Sequence, residues 1–173
     1  MKTKLAALLL PLLIAACAKT DTAKPVDAAK IADAVKADAD QLAAQLNAKD
    51  LDKAVAHDAP DIVVMFHGAP NTKSADEDRA TTKAILTDPA FHLKLSDATV
   101  DVAKAGDMAV YRSSYTVTQT DAKTKKPMTE TGNMLAVYKP QADGSWKIAQ
   151  QVISDTAPAP AAMPVAAPAK PAP

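Results

Sequence analysis

Residues 105–154 decide the fold of this chain: AGDMAVYRSSYTVTQTDAKTKKPMTETGNMLAVYKPQADGSWKIAQQVIS. Two runs rich in β-branched and aromatic residues, Met108–Thr118 and Thr129–Lys139, flank a polar loop and are predicted strands. Ala142-Asp143-Gly144 then predicts a tight hairpin into a last strand, Trp146–Ser154. These residues predict consecutive antiparallel strands.

A further strand is predicted just before this stretch. Apolar residues alternate from Phe91 to Leu95, and the apolar phase then changes at Ala98 and stays changed as far as Val102. Such a one-residue slip is typical of a bulge or bend in a long strand. The C-terminal half is therefore predicted to be a four-stranded meander.

Helices are predicted upstream of the meander. Asp27 is a predicted cap for a first helix that ends near Asn47, and Leu51–His57 predicts a short second helix. The first helix has apolar residues at helical spacing, at Ile31, Val35, Leu42 and Leu46. This stripe predicts a helix with one face against the sheet.

One strand and a third helix complete the pattern. Ile62–His67 is a predicted strand because of its β-branched content, and Ser74 with Glu77 forms a capping box for a helix ending near Leu86. The order of elements predicts an α+β fold, in which a curved antiparallel sheet closes around the N-terminal helices.

Composition excludes several classes of protein. The 173 residues carry 20 basic and 20 acidic side chains, which argues against a nucleic-acid-binding surface. A single cysteine excludes an intrachain disulfide and a thiolate zinc site. The three histidines, His57, His67 and His92, lack the close spacing of a metal-binding pair. No metal site and no cofactor are therefore expected.

The N-terminus predicts an envelope lipoprotein of bacteria. Two lysines precede an apolar run, Leu5–Ala16, which is too short to span a bilayer and ends in small residues before Cys17. Residues 1–16 are a predicted signal peptide. Cys17 fits a bacterial lipobox, which implies lipidation of its sulfur and a membrane anchor. The alternative is an ordinary secretory signal with an incidental cysteine.

Residues 17–27 are a predicted lipidated stalk. Ala18, which follows the cysteine, favours the outer membrane and a periplasmic location over inner-membrane retention. Cleavage removes two lysines and no acid, which leaves 18 basic and 20 acidic residues and a net charge of −2.

Residues 157–173 are almost wholly alanine and proline and contain six of the 13 prolines. Proline removes backbone donors and favours extended polyproline-II conformations. This segment is a predicted disordered tail; the alternative is a spacer or a ligand for a partner's groove.

Residues 28–156 resemble the SnoaL-like families of the nuclear-transport-factor-2-like superfamily, which also contains ketosteroid isomerase. The resemblance rests on Asn47-x-x-Asp50, on Asp58-x-x-Asp61, on Gly106–Tyr111 and above all on the Asp143–Ile148 hairpin. It implies a cone-shaped, cystatin-like fold with a pocket, and often a homodimer through the outer sheet face. It implies no single activity, because this fold hosts many.

Candidate pocket residues follow from the strand phases. Inward polar side chains are those in phase with the apolar stripe of each strand, and Asp61 at the entrance of the first strand could reach the pocket mouth, as could His57. The candidates are His67, Tyr111, Tyr115, Asn133, Gln150 and Asp61. Core packing, capping and turn bonding are the alternative roles. No acidic side chain is expected to point inward from the last three strands.

Three functions remain open. The first, which we favour, is a noncatalytic envelope lipoprotein that binds a small apolar or amphipathic molecule. The second is a cofactor-independent isomerase, cyclase or hydrolase, with His67 or Asp61 as base and Tyr111 or Tyr115 as acid. The third is a protein-interaction module. A tyrosine that touches a carboxylate or histidine inside a pocket would favour the second.

Overall fold

The computed structural model describes residues 26–156, so the predicted signal peptide, Cys17, most of the stalk and the tail lie outside the described residues. The helices are α1 (Ala28–Asn47), α2 (Leu51–Ala54) and α3 (Ala75–Leu86), with a 3-10 turn at Val55–His57. The strands are β1 (Asp58–Phe66), β2 (His92–Val102), β3 (Ala109–Thr120), β4 (Pro127–Pro140) and β5 (Trp146–Asp155). Within 26–156, no helix is long and apolar enough to cross a membrane.

Local capping explains where the helices begin. The Asp27 carboxylate accepts a hydrogen bond from the Lys30 N–H at 3.1 Å, as predicted. Ser74 Oγ accepts from the Glu77 N–H at 3.2 Å, and the Glu77 carboxylate accepts from the Lys73 N–H. The predicted first and third helices are therefore confirmed with their caps.

The five strands form one sheet in the order β1-β5-β4-β3-β2. The predicted α+β class and the antiparallel meander of β2 to β5 are confirmed, but β1 pairs with β5 in parallel. The prediction also began β1 too late: the strand starts at Asp58 and includes Pro60. Proline is tolerated there because β1 is an edge strand and need not donate to a second neighbour.

The predicted irregularity in β2 is confirmed. Its register with β3 shifts between Ser96 and Thr99, and Asp97 has a φ of +55°, in the left-handed region. The bulge lets both apolar phases of β2 face the helical side. α1 lies across β2, with Val35 and Ala39 buried against the sheet.

The prediction of which β4 side chains point inward was wrong. Asn133 was expected to point inward, but it is exposed, while Gly132, Met134 and Tyr138 on the opposite face are buried. The two faces of β4 are similarly apolar, so alternation alone could not separate them. Pairing decides the outcome: Tyr115 lies directly opposite Gly132, and paired residues share a face.

The predicted inward position of Gln150 on β5 was also wrong. Ile148 points inward as predicted, but the register against β4 shifts between Val137 and Tyr138, so β5 carries one extra residue. The extra residue reverses the alternation: Gln150 is exposed, and Gln151 and Ile153 face inward.

Candidate functional site

A cavity of about 410 Å³ lies between the helices and the concave face of the sheet. Much of its wall is apolar and comes from α1, from β2 with the residue before it, and from β5. The contributors include Leu42, Leu46, Phe91, Leu93, Leu95 and Ile153. Polar side chains interrupt this wall in two clusters. The volume and the mixture of apolar and few polar groups are typical of a small-molecule site.

The first cluster is a pair of carboxyl groups. Asp58 opens β1, and Asp78 lies on the buried face of α3, where Thr82 Oγ1 donates to it at 3.3 Å. The two carboxyls both line the cavity, and each influences the ionisation of the other. Two neighbouring carboxyls with one negative charge between them need a proton on one of the two groups.

The surroundings of this pair favour retention of that proton. Burial raises the pKa of Asp58 to about 8, and the adjacent Asp78 raises it further, while Lys147 acts in the opposite direction. Burial also raises the pKa of Asp78. The pair therefore retains a proton at neutral pH.

The second cluster joins β3 and β4 near the end of β1. Tyr115 Oη donates to Glu130 Oε1 at 2.5 Å. Burial raises the pKa of the Tyr115 hydroxyl, and its hydrogen bond to the Glu130 carboxylate raises it further, so the hydroxyl stays protonated. His67 Nε2 lies 3.6 Å from Glu130 Oε2 and 3.7 Å from Asp155 Oδ2.

Gly132 makes the Tyr115–Glu130 contact sterically feasible. A Cβ atom at Gly132 would stand 2.5 Å from the Tyr115 ring and would also clash with the Ser154 carbonyl oxygen. Only glycine leaves room for the ring to lie across β4 and reach Glu130. The residue type at position 132 thus fixes the tyrosine that lines the cavity.

The predicted site residues are only partly brought together. His67 and Tyr115 line the cavity, and Glu130 connects them. Tyr111 also points inward but is fully buried in the core, away from the cavity wall. Asp61, Asn133 and Gln150 are exposed.

His57, a further candidate for the pocket mouth, is buried and does not line the cavity. Its Nδ1 lies 2.7 Å from Asp38 Oδ1, and its Nε2 lies 2.8 Å from Gln45 Oε1. Tyr138 packs beside the same aspartate: burial, and then the charge of Asp38, raise the pKa of Tyr138. These contacts tie α1 to the 3-10 turn and to the sheet.

Three lining carboxyls were missed from the sequence: Asp58, Asp78 and Glu130. The expectation that no acid points inward from the last three strands was wrong, because it depended on the reversed facing of β4. The sequence indicated Asp58 only as part of the Asp58-x-x-Asp61 motif and gave no reason to single out Asp78. In residues 26–156, no group of three or more His, Cys, Asp or Glu side chains is placed to hold a metal ion.

Comparison with models of known protein families identifies the family of this chain. The family model for the SnoaL-like domain matches residues 35–160. The chain belongs to the SnoaL-like domain family. No curated protein matches this SnoaL-like chain in sequence.

Solved structures show the same fold. A candidate calcium/calmodulin-dependent protein kinase II association domain from Xanthomonas campestris is 26% identical, with a TM-score of 0.61 over 71% of this chain and 86% of that chain. A ketosteroid isomerase-like protein from Erwinia carotovora atroseptica is 22% identical, with a TM-score of 0.61 over 73% and 96%. A candidate scytalone dehydratase from Novosphingobium aromaticivorans is 17% identical, with a TM-score of 0.64 over 72% and 83%. The chain is thus a SnoaL-like domain with the cystatin-like fold.

Proposed function

We propose that this SnoaL-like domain binds a small apolar or amphipathic molecule in the cavity between its helices and its sheet. The observation that carries the proposal is the cavity itself, which is apolar over most of its wall and has polar groups at two places. Apolar walls supply affinity through desolvation, and a few polar groups set the ligand's orientation.

A matched pair of helix variants tests the binding site. Ala43 lines the cavity, whereas Ala44, the next residue of α1, is exposed. We expect Ala43→Phe to weaken binding of 2-naphthalenemethanol by about tenfold or more, because the added ring occupies the space of the ligand. Equilibrium dialysis of the purified protein measures the dissociation constant.

Ala44→Phe is the control and should bind the naphthalene alcohol within about twofold of the original chain, since that ring points to solvent. Equal weakening by both substitutions would indicate a general disturbance of α1. Unchanged binding in Ala43→Phe would place the ligand elsewhere.

A second candidate function is acid–base catalysis on the bound molecule. It is favoured by one observation, the Tyr115–Glu130 contact inside the cavity with His67 at its edge. Glu130 is then the proton acceptor, and the protonated Tyr115 hydroxyl is a donor to developing negative charge. This assignment replaces Asp61 and Tyr111 of the sequence-based hypothesis and keeps His67 as a neighbouring group.

Hydrogen exchange of an acidic ketone tests this second function. 2-Tetralone fits an apolar cavity and has acidic hydrogens next to its carbonyl. If Glu130 abstracts a proton, the protein should accelerate their exchange with D2O, followed by proton NMR, and Glu130→Gln should lower this rate by about 100-fold. Asp33→Asn, an exposed change on α1, is the charge control. Exchange at the background rate would leave ligand binding as the function.

We propose further that the mature chain is anchored by lipid on Cys17 at the outer membrane, facing the periplasm. The support is the N-terminal sequence, where a lipobox-like cysteine follows an apolar run. Cys17→Ser should move the protein from the membrane fraction to the soluble fraction of the envelope, because an acyl anchor contributes about 0.8 kcal/mol per buried methylene. Normal processing in cells treated with globomycin would contradict the proposal.

A further inference from the structure

The ionisable side chains that line the cavity give it an acidic character. Three of them are carboxylic acids, Asp58, Asp78 and Glu130, and the others are His67 and Tyr115. No lysine or arginine is among the described residues of this lining. A site of this composition is electrostatically complementary to a cation and repels an anion.

The Asp58–Asp78 pair has few hydrogen-bond donors of its own. In the described part of the chain, Thr82 is the one side chain other than the pair itself that donates to it. Lys147 lies close enough to Asp58 to influence its charge, but its ammonium group donates to the Ala56 carbonyl oxygen. Two carboxyls accept several hydrogen bonds, so most of the acceptor capacity of this pair is left for a cavity ligand.

Resting on the proposed function, we infer that the polar group of the bound molecule is a protonated amine, which binds to the Asp58 and Asp78 carboxyls where both line the cavity. The ammonium N–H groups donate to both carboxylates, and the proton that the pair held leaves to solvent. The charge of the pair changes from −1 to −2 while the ligand brings +1, so the net charge buried there is unchanged. A carboxylate ligand would instead add a second negative charge, which is costly in a desolvated site.

Three probes with one hydrocarbon skeleton test this inference: 2-naphthylmethylamine, 2-naphthalenemethanol and 2-naphthoate. We expect the amine to bind about tenfold or more tighter than the alcohol, as a charge-assisted hydrogen bond contributes, and the carboxylate to bind weakest. Calorimetry in two buffers of different ionisation enthalpy should show close to one proton released per amine bound near pH 7.

The affinity of the cavity for the amine should depend on pH. Below the pKa of Asp58, which is about 8, the amine must displace a proton, so its affinity should rise with pH up to that value. The charged groups that face Asp58 are Asp78 on α3, Lys147 on β5 and Asp38 on α1. The alcohol displaces no proton, and its affinity should stay flat.

Two asparagine variants on α3 test whether the preference for the amine depends on the Asp58–Asp78 pair. Asp78→Asn should reduce the amine-over-alcohol preference by about tenfold, because one of the two carboxylates that accept from the ammonium group is lost. Asp76→Asn removes the same charge from an exposed position and should leave the preference unchanged.

The comparison of the three probes distinguishes failure of the amine inference from failure of the proposed ligand-binding function. It uses the unchanged protein and so does not depend on the folding of a variant. Equal binding of the three probes, or tightest binding of the carboxylate, would overturn the amine inference and leave the cavity as a ligand site. Binding of none of them would overturn the proposed function itself.

Discussion

Replacement of Asp38 by alanine is expected to lower the free energy of unfolding by about 3 kcal/mol, in the range measured when one partner of a buried pair is removed. His57 is buried, and its Nδ1 makes a 2.7 Å contact with Asp38 Oδ1. Without the carboxylate this buried ring nitrogen loses its hydrogen-bond partner. Thermal and urea unfolding of the purified protein measure the loss, which corresponds to a midpoint lower by roughly 10 °C.

The control for this substitution is Asp40→Ala, at an exposed position two residues further along α1. It should change stability by no more than about 0.5 kcal/mol. A loss below about 1 kcal/mol for Asp38→Ala would show that the contact between α1 and the 3-10 turn contributes little.

Asp78→Asn, unlike Asp38→Ala, should raise the free energy of unfolding above neutral pH. A carboxyl whose pKa is raised in the folded state binds its proton more tightly there than in the unfolded chain. The stability that Asp58 contributes is therefore greatest below its unfolded pKa of 3.8 and falls as pH rises towards about 8. Removal of the neighbouring charge lessens this fall.

The expected gain for Asp78→Asn is roughly 1–2 kcal/mol near pH 8, and it should vanish near pH 4. Urea unfolding as a function of pH measures it. Asp76→Asn is the matched control and should be neutral or slightly destabilising, because Asp76 is an acid in the first turn of α3. If Asp78→Asn instead lowers the free energy of unfolding at both pH values, burial of the two neighbouring carboxyls does not destabilise the protein.

Elements governed by local chemistry were predictable from the sequence. The caps at Asp27 and Ser74 depend on side chains that bond to backbone groups a few residues away, and they were located correctly. The bulge in β2 was predicted because the phase of its apolar residues changes within the strand itself. The start of β1 was missed because Pro60 usually ends a regular element, and only its edge position makes it acceptable.

The side chains of β4 that point inward were predictable from the sequence, although the alternation of apolar residues did not reveal them. The predicted strand ends Thr118 and Thr129 are direct partners across the β3–β4 hairpin, and that register already places Tyr115 opposite Gly132. Paired residues share a face, so an inward Tyr115 requires that Gly132 and Glu130 point inward as well. Hairpin register would therefore have found the Tyr115–Glu130 contact, whereas hydrophobic pattern could not.

The Asp58–Asp78 pair lay beyond local reasoning. The two residues are 20 positions apart, in a strand and in a helix, and no local pattern in the sequence pairs them. Only the packing of α3 against β1 brings the carboxyls together at the cavity wall. Likewise, the extra residue in β5 that turns Gln150 outward is a property of pairing with β4.

The most direct test of the central claim, that a small molecule binds inside the cavity, is methyl NMR of the isotope-labelled protein during titration with 2-naphthalenemethanol. Leu46, Leu93 and Ile153 line the cavity, whereas Leu135 and Val152 lie in a groove on the outer face of the sheet. We expect saturable shifts of the cavity methyl groups, with the outer-face methyl groups unchanged. Shifts confined to Leu135 and Val152 would contradict it.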